Sequence, residues 1–263
     1  MTNSIHPTAA ISSSAQIGKN VTIGAFCVIG DQVVIGDYCI LHSHVVIDGD
    51  THIGEGCEVF PFASIGTAPQ DLKYNGEPTQ LRIGARNKIR EHVTINPGTC
   101  GDNSLTEIGD DNLLMIGVHI AHDCIIGNHN VFANNATLAG HVKVGNYVII
   151  GGLSAVHQFA RIGDHAMIGG MSGVEGDVIP FGLVMGERAK LSGINLIGME
   201  RRGFEKTEIK TLMKAFKHLF HGEAGTFKER LAEVNDNYKD HKVVTDVLNF
   251  VMTENSRSLC QPK

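Results

Sequence analysis

From Ile5 onward an apolar residue returns every six positions: Ile5, Ile11, Ile17, Ile23, Ile29, Ile35, Leu41, Ile47, Ile53, Val59 and Ile65. A second run, Ile83, Ile89 and Ile95, has a new phase, and a third continues unbroken from Ile108 to Val174. Four places after each opening residue the side chain is usually small, as at Ala15, Cys27, Cys39, Cys57, Ala63, Cys124 and Ala166. A period of six suits neither an α-helix nor an alternating strand. It suits a short strand and a tight corner, repeated, with both apolar positions inside a thin prism and equivalent strands stacked in parallel. Three hexads make a coil of 18 residues, and the 26 hexads give roughly nine coils. At about 4.8 Å per stacked strand the prism would be roughly 40 Å long. The expected fold is mainly β, a parallel β-helix.

Two segments break the phase, 67–82 and 99–107, and are expected as loop insertions. A loop leaving a rigid solenoid is either decoration or part of a site. After Val174 the hexads decay, and from about Gly203 the apolar spacing becomes helical: Phe204, Ile209, Leu212, Phe216, then Phe227 and Leu231, then Val243, Val247 and Val251. The expected organisation is a β-helix over residues 1–187 and a small α-helical domain over 188–263 that caps its open end.

Composition narrows the class. A net charge of −6 argues against a globally basic nucleic-acid binder, and 42% apolar residues argue against wholesale disorder. No stretch approaches the roughly 20 apolar residues of a membrane span, and the start, through Pro7, lacks a signal-peptide layout. A cytoplasmic protein, not a membrane protein, is expected. The six cysteines show no paired metal spacing, so reduced thiols are expected, with Cys27, Cys39, Cys57 and Cys124 as core. Asn87, Asn112 and Asn130 share that inward position and are expected to form stacked amide ladders.

The 18-residue step also gathers histidines. His122 comes into register with Gly140, Asp123 with His141, and His157 follows two coils after residue 121. His122, Asp123, His141 and His157 therefore project near one edge. His129 and His165 stack at another edge, with no carboxylate expected there. A histidine beside a carboxylate is a general base near neutral pH, the carboxylate fixing its tautomer. No nucleophile elbow is present, which points to direct attack by an acceptor hydroxyl or amine. The Gly140 N–H is a candidate oxyanion donor.

Several strings carry a resemblance: Gln70-Asp71-Leu72-Lys73-Tyr74, Gly76-Glu77-Pro78-Thr79, His119-Ile120-Ala121-His122-Asp123-Cys124, Asn134 through His141, Ala155-Val156-His157-Gln158-Phe159, and Arg201-Arg202-Gly203-Phe204. Together they resemble the bacterial UDP-N-acetylglucosamine O-acyltransferases, hexapeptide-repeat transferases that open lipid A biosynthesis. The resemblance implies a left-handed winding, a homotrimer with sites between subunits, and transfer of a 3-hydroxyacyl group from acyl carrier protein to the 3-hydroxyl of UDP-N-acetylglucosamine. It implies His122 as base, Asp123 as its orienting carboxylate and Gly140 as oxyanion donor. Asp71, Lys73, His119, His141, His157 and Gln158 match sugar, phosphate and acyl contacts, and Asn195, Arg201 and Arg202 match the nucleotide side. The loop carrying Asp71 and Lys73 would reach a neighbouring subunit. No metal and no dissociable cofactor is implied.

The chain departs from the family pattern at three places. Ile197 stands where relatives often carry a Glu, and Arg188 where a relative has the His that ends the acyl pocket. Gly170 occupies the position where a bulky residue shortens the accepted chain. Pro69 sits in the loop near the acceptor sugar, so a 3-amino sugar acceptor stays open. A zinc enzyme using His119 and His122 and a non-catalytic scaffold are the rival classes. Separately, Lys206, Lys210, Lys214 and Lys217 fall on one helical face. From Lys190 to Phe220 seven basic residues stand against three acidic ones, a patch suited to an acidic partner such as acyl carrier protein.

Overall fold

The computed structural model describes residues 2–101, 104–253 and 256–262. Parallel strands, mostly two residues long, stack in three sheets of eleven, nine and eight strands. The chain visits the sheets in turn: Ser4–Ile5 in the first, Ala10–Ile11 in the second and Gln16–Ile17 in the third make one coil. Ser4 lies beside Thr22 and Thr22 beside Ile40, so the coil is 18 residues, as the hexads require. The opening residues fill the prism: Ile23, Ile35, Leu41 and Ile47 are 1% exposed or less. Cys27, Cys39, Cys57 and Cys124 are buried free thiols.

Two coils are longer. Glu58 lies beside Lys88, and Lys88 beside Leu113, steps of 30 and 25 residues. The strands Gln80–Ile83 and Leu105–Ile108 reach into the ends of the two phase breaks. They do so because Leu81 and Thr106 continue the inward column of Val33 and Thr51, all fully buried. Among the described residues, 66–79, 96–101 and 104 leave the prism, all at the corner between the second and third sheets.

The corners demand an unusual backbone. Nineteen described non-glycine residues take φ between 55° and 66°, a region that costs an L-residue roughly 1–2 kcal/mol. The offset is visible in what occupies them. Phe26, His44, Phe62 and His92 stack along one edge with centroids 5.0–5.2 Å apart. On another edge Tyr147 stands between His129 and His165, 4.8 and 5.0 Å from each. Aromatic pairs of this kind contribute about 0.5–1.5 kcal/mol each. The His129 edge does hold a carboxylate, contrary to expectation: Asp111 Oδ2 is 3.9 Å from His129 Nδ1.

The inward asparagines form the ladder that their register predicts. Asn87 Oδ1 accepts from Asn112 N–H at 2.8 Å, Asn112 Oδ1 from Asn130 N–H at 2.8 Å, and Asn130 Oδ1 from Val148 N–H at 2.7 Å. Each amide thus satisfies a corner N–H that the sheets leave unpaired. Asn112→Val installs the residue found at the equivalent positions 21 and 148, yet it is expected to destabilise the fold. It strands the Asn130 N–H, a loss of about 1–3 kcal/mol, readable as a lower denaturation midpoint. A midpoint unchanged from wild type would show the ladder to be neutral.

The last coil is closed by a hairpin, Gly182–Met185 antiparallel to Lys190–Ile194, so the strands on either side of residues 187 and 188 pair with each other. Among the described residues four helices follow: α1 (Leu196–Arg201), α2 (Lys206–His221), α3 (Phe227–Tyr238) and α4 (Lys242–Met252). The helical spacing from Gly203 corresponds to α2–α4; the short α1 precedes it. Thr226 and Glu229 cap α3 reciprocally, at 2.6 and 3.3 Å. Leu212, Ala215, Leu219, Val244 and Val247 face Ile179 and Ile194 at the end of the prism. The C-terminal segment then returns to the prism, Asp177 N–H donating to Ser258 O and Cys260 N–H to Asp177 O, both at 2.8 Å. Among the described residues no helix is long and apolar enough to cross a membrane.

Candidate active site

The corner that emits both loops also holds residues 121–124, 139–142 and 157–160 on three consecutive coils. His122 Nδ1 lies 2.8 Å from Asp123 Oδ2, and the Asp123 side chain is 1% exposed. An ionised carboxylate only accepts, so the ring proton sits on Nδ1 and Nε2 keeps its lone pair. That nitrogen is turned against Gly140: a Cβ added there would lie 2.7 Å from His122 Nε2 and 2.5 Å from Cε1. Gly140 O accepts from Phe159 N–H at 3.2 Å. Its own N–H donates to no partner among the described residues.

Asp123 takes φ 58° and donates its own N–H to Thr106 Oγ1 at 2.8 Å. His141 Nε2 is 3.8 Å from the same Asp123 Oδ2. The His141 ring is edge-on to His122 at 5.1 Å and stacked on Phe159 at 4.5 Å. The register of Asp123 under His141 is therefore as the 18-residue step predicts. Thr99, from the second loop, donates to both Asp123 oxygens, at 3.0 and 3.1 Å from its N–H and 2.7 Å from its hydroxyl.

His122, Asp123 and His141 offer ligand atoms within 4.8 Å of one another, a spacing open to a metal ion. The carboxylate, however, is already occupied by His122 and by Thr99 in a buried setting. A metal would have to displace those bonds, whereas proton transfer uses them as they stand. His119 is not part of the trio. Its Nδ1 meets Thr94 Oγ1 at 2.7 Å. Burial, reinforced by the nearby His122, holds its imidazole below the ordinary histidine range.

The first loop folds over this corner within the same chain. Asp71, Lys73, Tyr74 and Glu77 line a cavity of about 420 Å³ together with Thr99, His141 and Phe159. Asp71 Oδ1 accepts from Lys73 N–H at 2.9 Å, leaving the lysine side chain exposed. Asn96 holds the root of the loop by donating to Thr67 O at 3.0 Å. His157 sits on the same edge, but Arg257 contacts its Nδ1 at 2.8 Å and Gln158 O at 3.0 Å. A guanidinium cannot accept, so His157 Nδ1 carries the lone pair and Nε2 the proton. Arg188 pairs with Glu175, one coil beyond His157.

Other expected residues lie elsewhere on the chain. Asn195 is buried and caps α1, its Oδ1 accepting from Gly198 N–H at 3.1 Å and its Nδ2 donating to His165 O at 2.9 Å. Within one chain its polar groups are used by the fold. Arg202 lies over Tyr147, 5.4 Å from the ring, and donates to Tyr147 O at 2.7 Å. Both residues sit at the edge between the third and first sheets. Arg201 is exposed on α1. Gly170 sits at the remaining edge, where an added Cβ would meet nothing nearer than Gly152 O at 3.4 Å. Phe159 was open to the same register arithmetic as His141; Thr99 and Arg257 lie outside the hexads and carried no such signal.

A coiled prism with a histidine–carboxylate pair at one corner places the chain among the hexapeptide-repeat transferases. Residues 14–49 and 105–140 match the family described as "Bacterial transferase hexapeptide (six repeats)", and residues 177–260 match "Udp N-acetylglucosamine O-acyltransferase; Domain 2". The acyl-[acyl-carrier-protein]–UDP-N-acetylglucosamine O-acyltransferase of Rickettsia canadensis is 54% identical over 99% of this chain and 98% of its own. That of Caulobacter vibrioides is 50% identical over 99% of this chain. A solved UDP-N-acetylglucosamine acyltransferase is 44% identical, with a TM-score of 0.94 over 98% of this chain and 99% of its own. The enzyme of the same name from Moraxella catarrhalis matches with a TM-score of 0.92 at 44% identity over 98% of this chain and 99% of its own. The chain belongs to the acyl-[acyl-carrier-protein]–UDP-N-acetylglucosamine O-acyltransferase family. Its fold is the left-handed parallel β-helix with a small helical C-terminus.

Proposed function

We propose that the chain transfers a 3-hydroxyacyl group from acyl carrier protein to the 3-hydroxyl of UDP-N-acetylglucosamine, the opening reaction of lipid A biosynthesis, by direct attack. The observation that carries this reading is His122, fixed by Asp123 with its Nε2 turned against Gly140. His122 Nε2 takes the proton of the sugar hydroxyl as its oxygen attacks the thioester carbonyl. The Gly140 N–H stabilises the oxyanion. As the tetrahedral adduct collapses, the C–S bond breaks and the His122 imidazolium returns the proton to the departing thiolate, which leaves as the thiol. Asp71, Lys73, His119, His141, His157 and Gln158 bind the sugar nucleotide and the acyl donor around this corner.

Asn195, Arg201, Arg202 and Gly170 are assigned to the nucleotide and acyl-chain sides, with Arg188 near the end of the acyl path. Their positions on different edges support a homotrimer, because one copy does not place them in one cleft. An exposed apolar strip on the Gly170 edge supports it too: Phe26, Phe62, Leu153 and Met171 are 53–72% exposed.

The test is to incubate the protein with UDP-N-acetylglucosamine, or its 3-amino analogue, and a ladder of 3-hydroxyacyl carrier proteins, and to weigh the product. An acylated hydroxyl sugar at one preferred chain length is expected. Product from the amino sugar alone would replace the acceptor, and no product from either would end the reading.

The donor protein is assigned to α2, where Lys206, Lys210, Lys214 and Lys217 are all exposed. Reversing charge at Lys210 and Lys214 is expected to raise KM for the acyl carrier substrate several-fold at low salt and leave KM for the sugar nucleotide unchanged. An unchanged donor KM at low salt would remove the docking assignment.

A further inference from the structure

Asp123 is almost fully buried, and a buried carboxylate requires donors. Its own corner supplies His122, and His141 stands farther off at 3.8 Å. The remaining donors come from one residue outside the hexads. Thr99 directs its N–H to both carboxylate oxygens and its hydroxyl to Oδ2, the same oxygen that His122 uses. The hydroxyl must donate here, since the carboxylate only accepts. Thr99 is itself buried, at 6% exposure, which limits the competition of water for these bonds. The loop that carries it is tied to the first loop: Glu77 accepts from Asn75 N–H at 2.7 Å and contacts Cys100 N–H at 3.5 Å.

We infer that Thr99 is a positioning residue for the acyl transfer: its hydroxyl and N–H lock the Asp123 carboxylate so that Oδ2 faces His122 Nδ1. The inference rests on the reading of His122 as base. It gives the second insertion a role in the chemistry, since that insertion supplies the clamp on the carboxylate. The two loops thereby act on one corner: both line the cavity, and the second also sets the base.

Thr99→Val removes the hydroxyl and keeps shape and backbone N–H; Thr99→Ser keeps the hydroxyl. Thr99→Val is expected to lower kcat about 10- to 100-fold, with KM for the sugar nucleotide within about twofold of wild type. Thr99→Ser is expected to restore most of kcat. In an Asp123→Ala background the Thr99→Val effect is expected to vanish, because both changes break one chain of contacts. A readout independent of turnover is the downfield proton resonance of the His122 Nδ1–H, identified by its loss in His122→Ala. It is expected in wild type and Thr99→Ser, and expected to broaden or shift in Thr99→Val. An unchanged resonance in Thr99→Val, a loss expressed in KM, or an undiminished effect in the Asp123→Ala background would overturn the inference. Failure of the base reading is told apart by His122→Ala retaining kcat while the resonance still responds to Thr99→Val.

Discussion

His122→Ala is expected to lower kcat by about 10²–10⁴, the range that a positioned general base supplies, while KM for both substrates changes little. The argument is geometric. The ring proton is committed to Asp123, so the outward Nε2 is a base from the start and needs no tautomer change. The ring is 16% exposed, enough for a hydroxyl to reach and too little for bulk water to compensate for its loss. Stability is expected to fall by no more than about 1–3 kcal/mol, because the ring does not fill the prism and Asp123, though it loses one donor, keeps those of Thr99. The measurement is steady-state kinetics beside a melting curve. A variant that keeps wild-type kcat would assign the proton to another group, with His141 the next candidate.

Gly140→Ala is expected to cost about 10²-fold or more in kcat through a single methyl group. The added Cβ falls 2.5–3.1 Å from three atoms of the His122 ring. The ring must move by roughly an ångström, and a misplacement of that size is worth about 10² in rate. The backbone N–H survives the substitution, so the loss reports the base and not the oxyanion donor. The coil itself has no reason to unfold, since the atoms met belong to a side chain at the surface. Kinetics with an unchanged melting temperature would bear this out. Full activity in Gly140→Ala would show that the ring works from another position.

The prism and the side chains gathered at its corner were legible because both obey one step. Asp123 lies under His141, and Asn87, Asn112 and Asn130 form a ladder, because 18 residues make one coil and corners repeat. The same step places Tyr147 between His129 and His165, a stack that attention to histidines alone passes over. The hidden contacts are those that leave the period. Thr99 belongs to a loop whose length breaks the count, so nothing local ties it to Asp123. Arg257 reaches His157 from a tail 100 residues further along the chain. Asn195, matched to the nucleotide side through the resemblance, also caps α1, a contact that the hexad spacing does not announce. Contacts that bring distant segments together, such as the return of the tail, are set by tertiary packing, which residue spacing does not encode.

The two longer coils rejoin their neighbours with the strand ladder unbroken: Val59 lies beside Ile89 and Ile89 beside Leu114. The fold therefore treats its corners as ports. Chain may be spliced in at one of them at any length, since closing a longer loop costs little more than closing a short one. A single residue added within a strand is a different matter. It turns the inward face outward for that strand and throws the next corner out of line with those above and below. Tolerance to change in this molecule is thus set by position within the six-residue frame, much as reading frame governs a coding strand: whole blocks and corner insertions pass, and a slip of one does not.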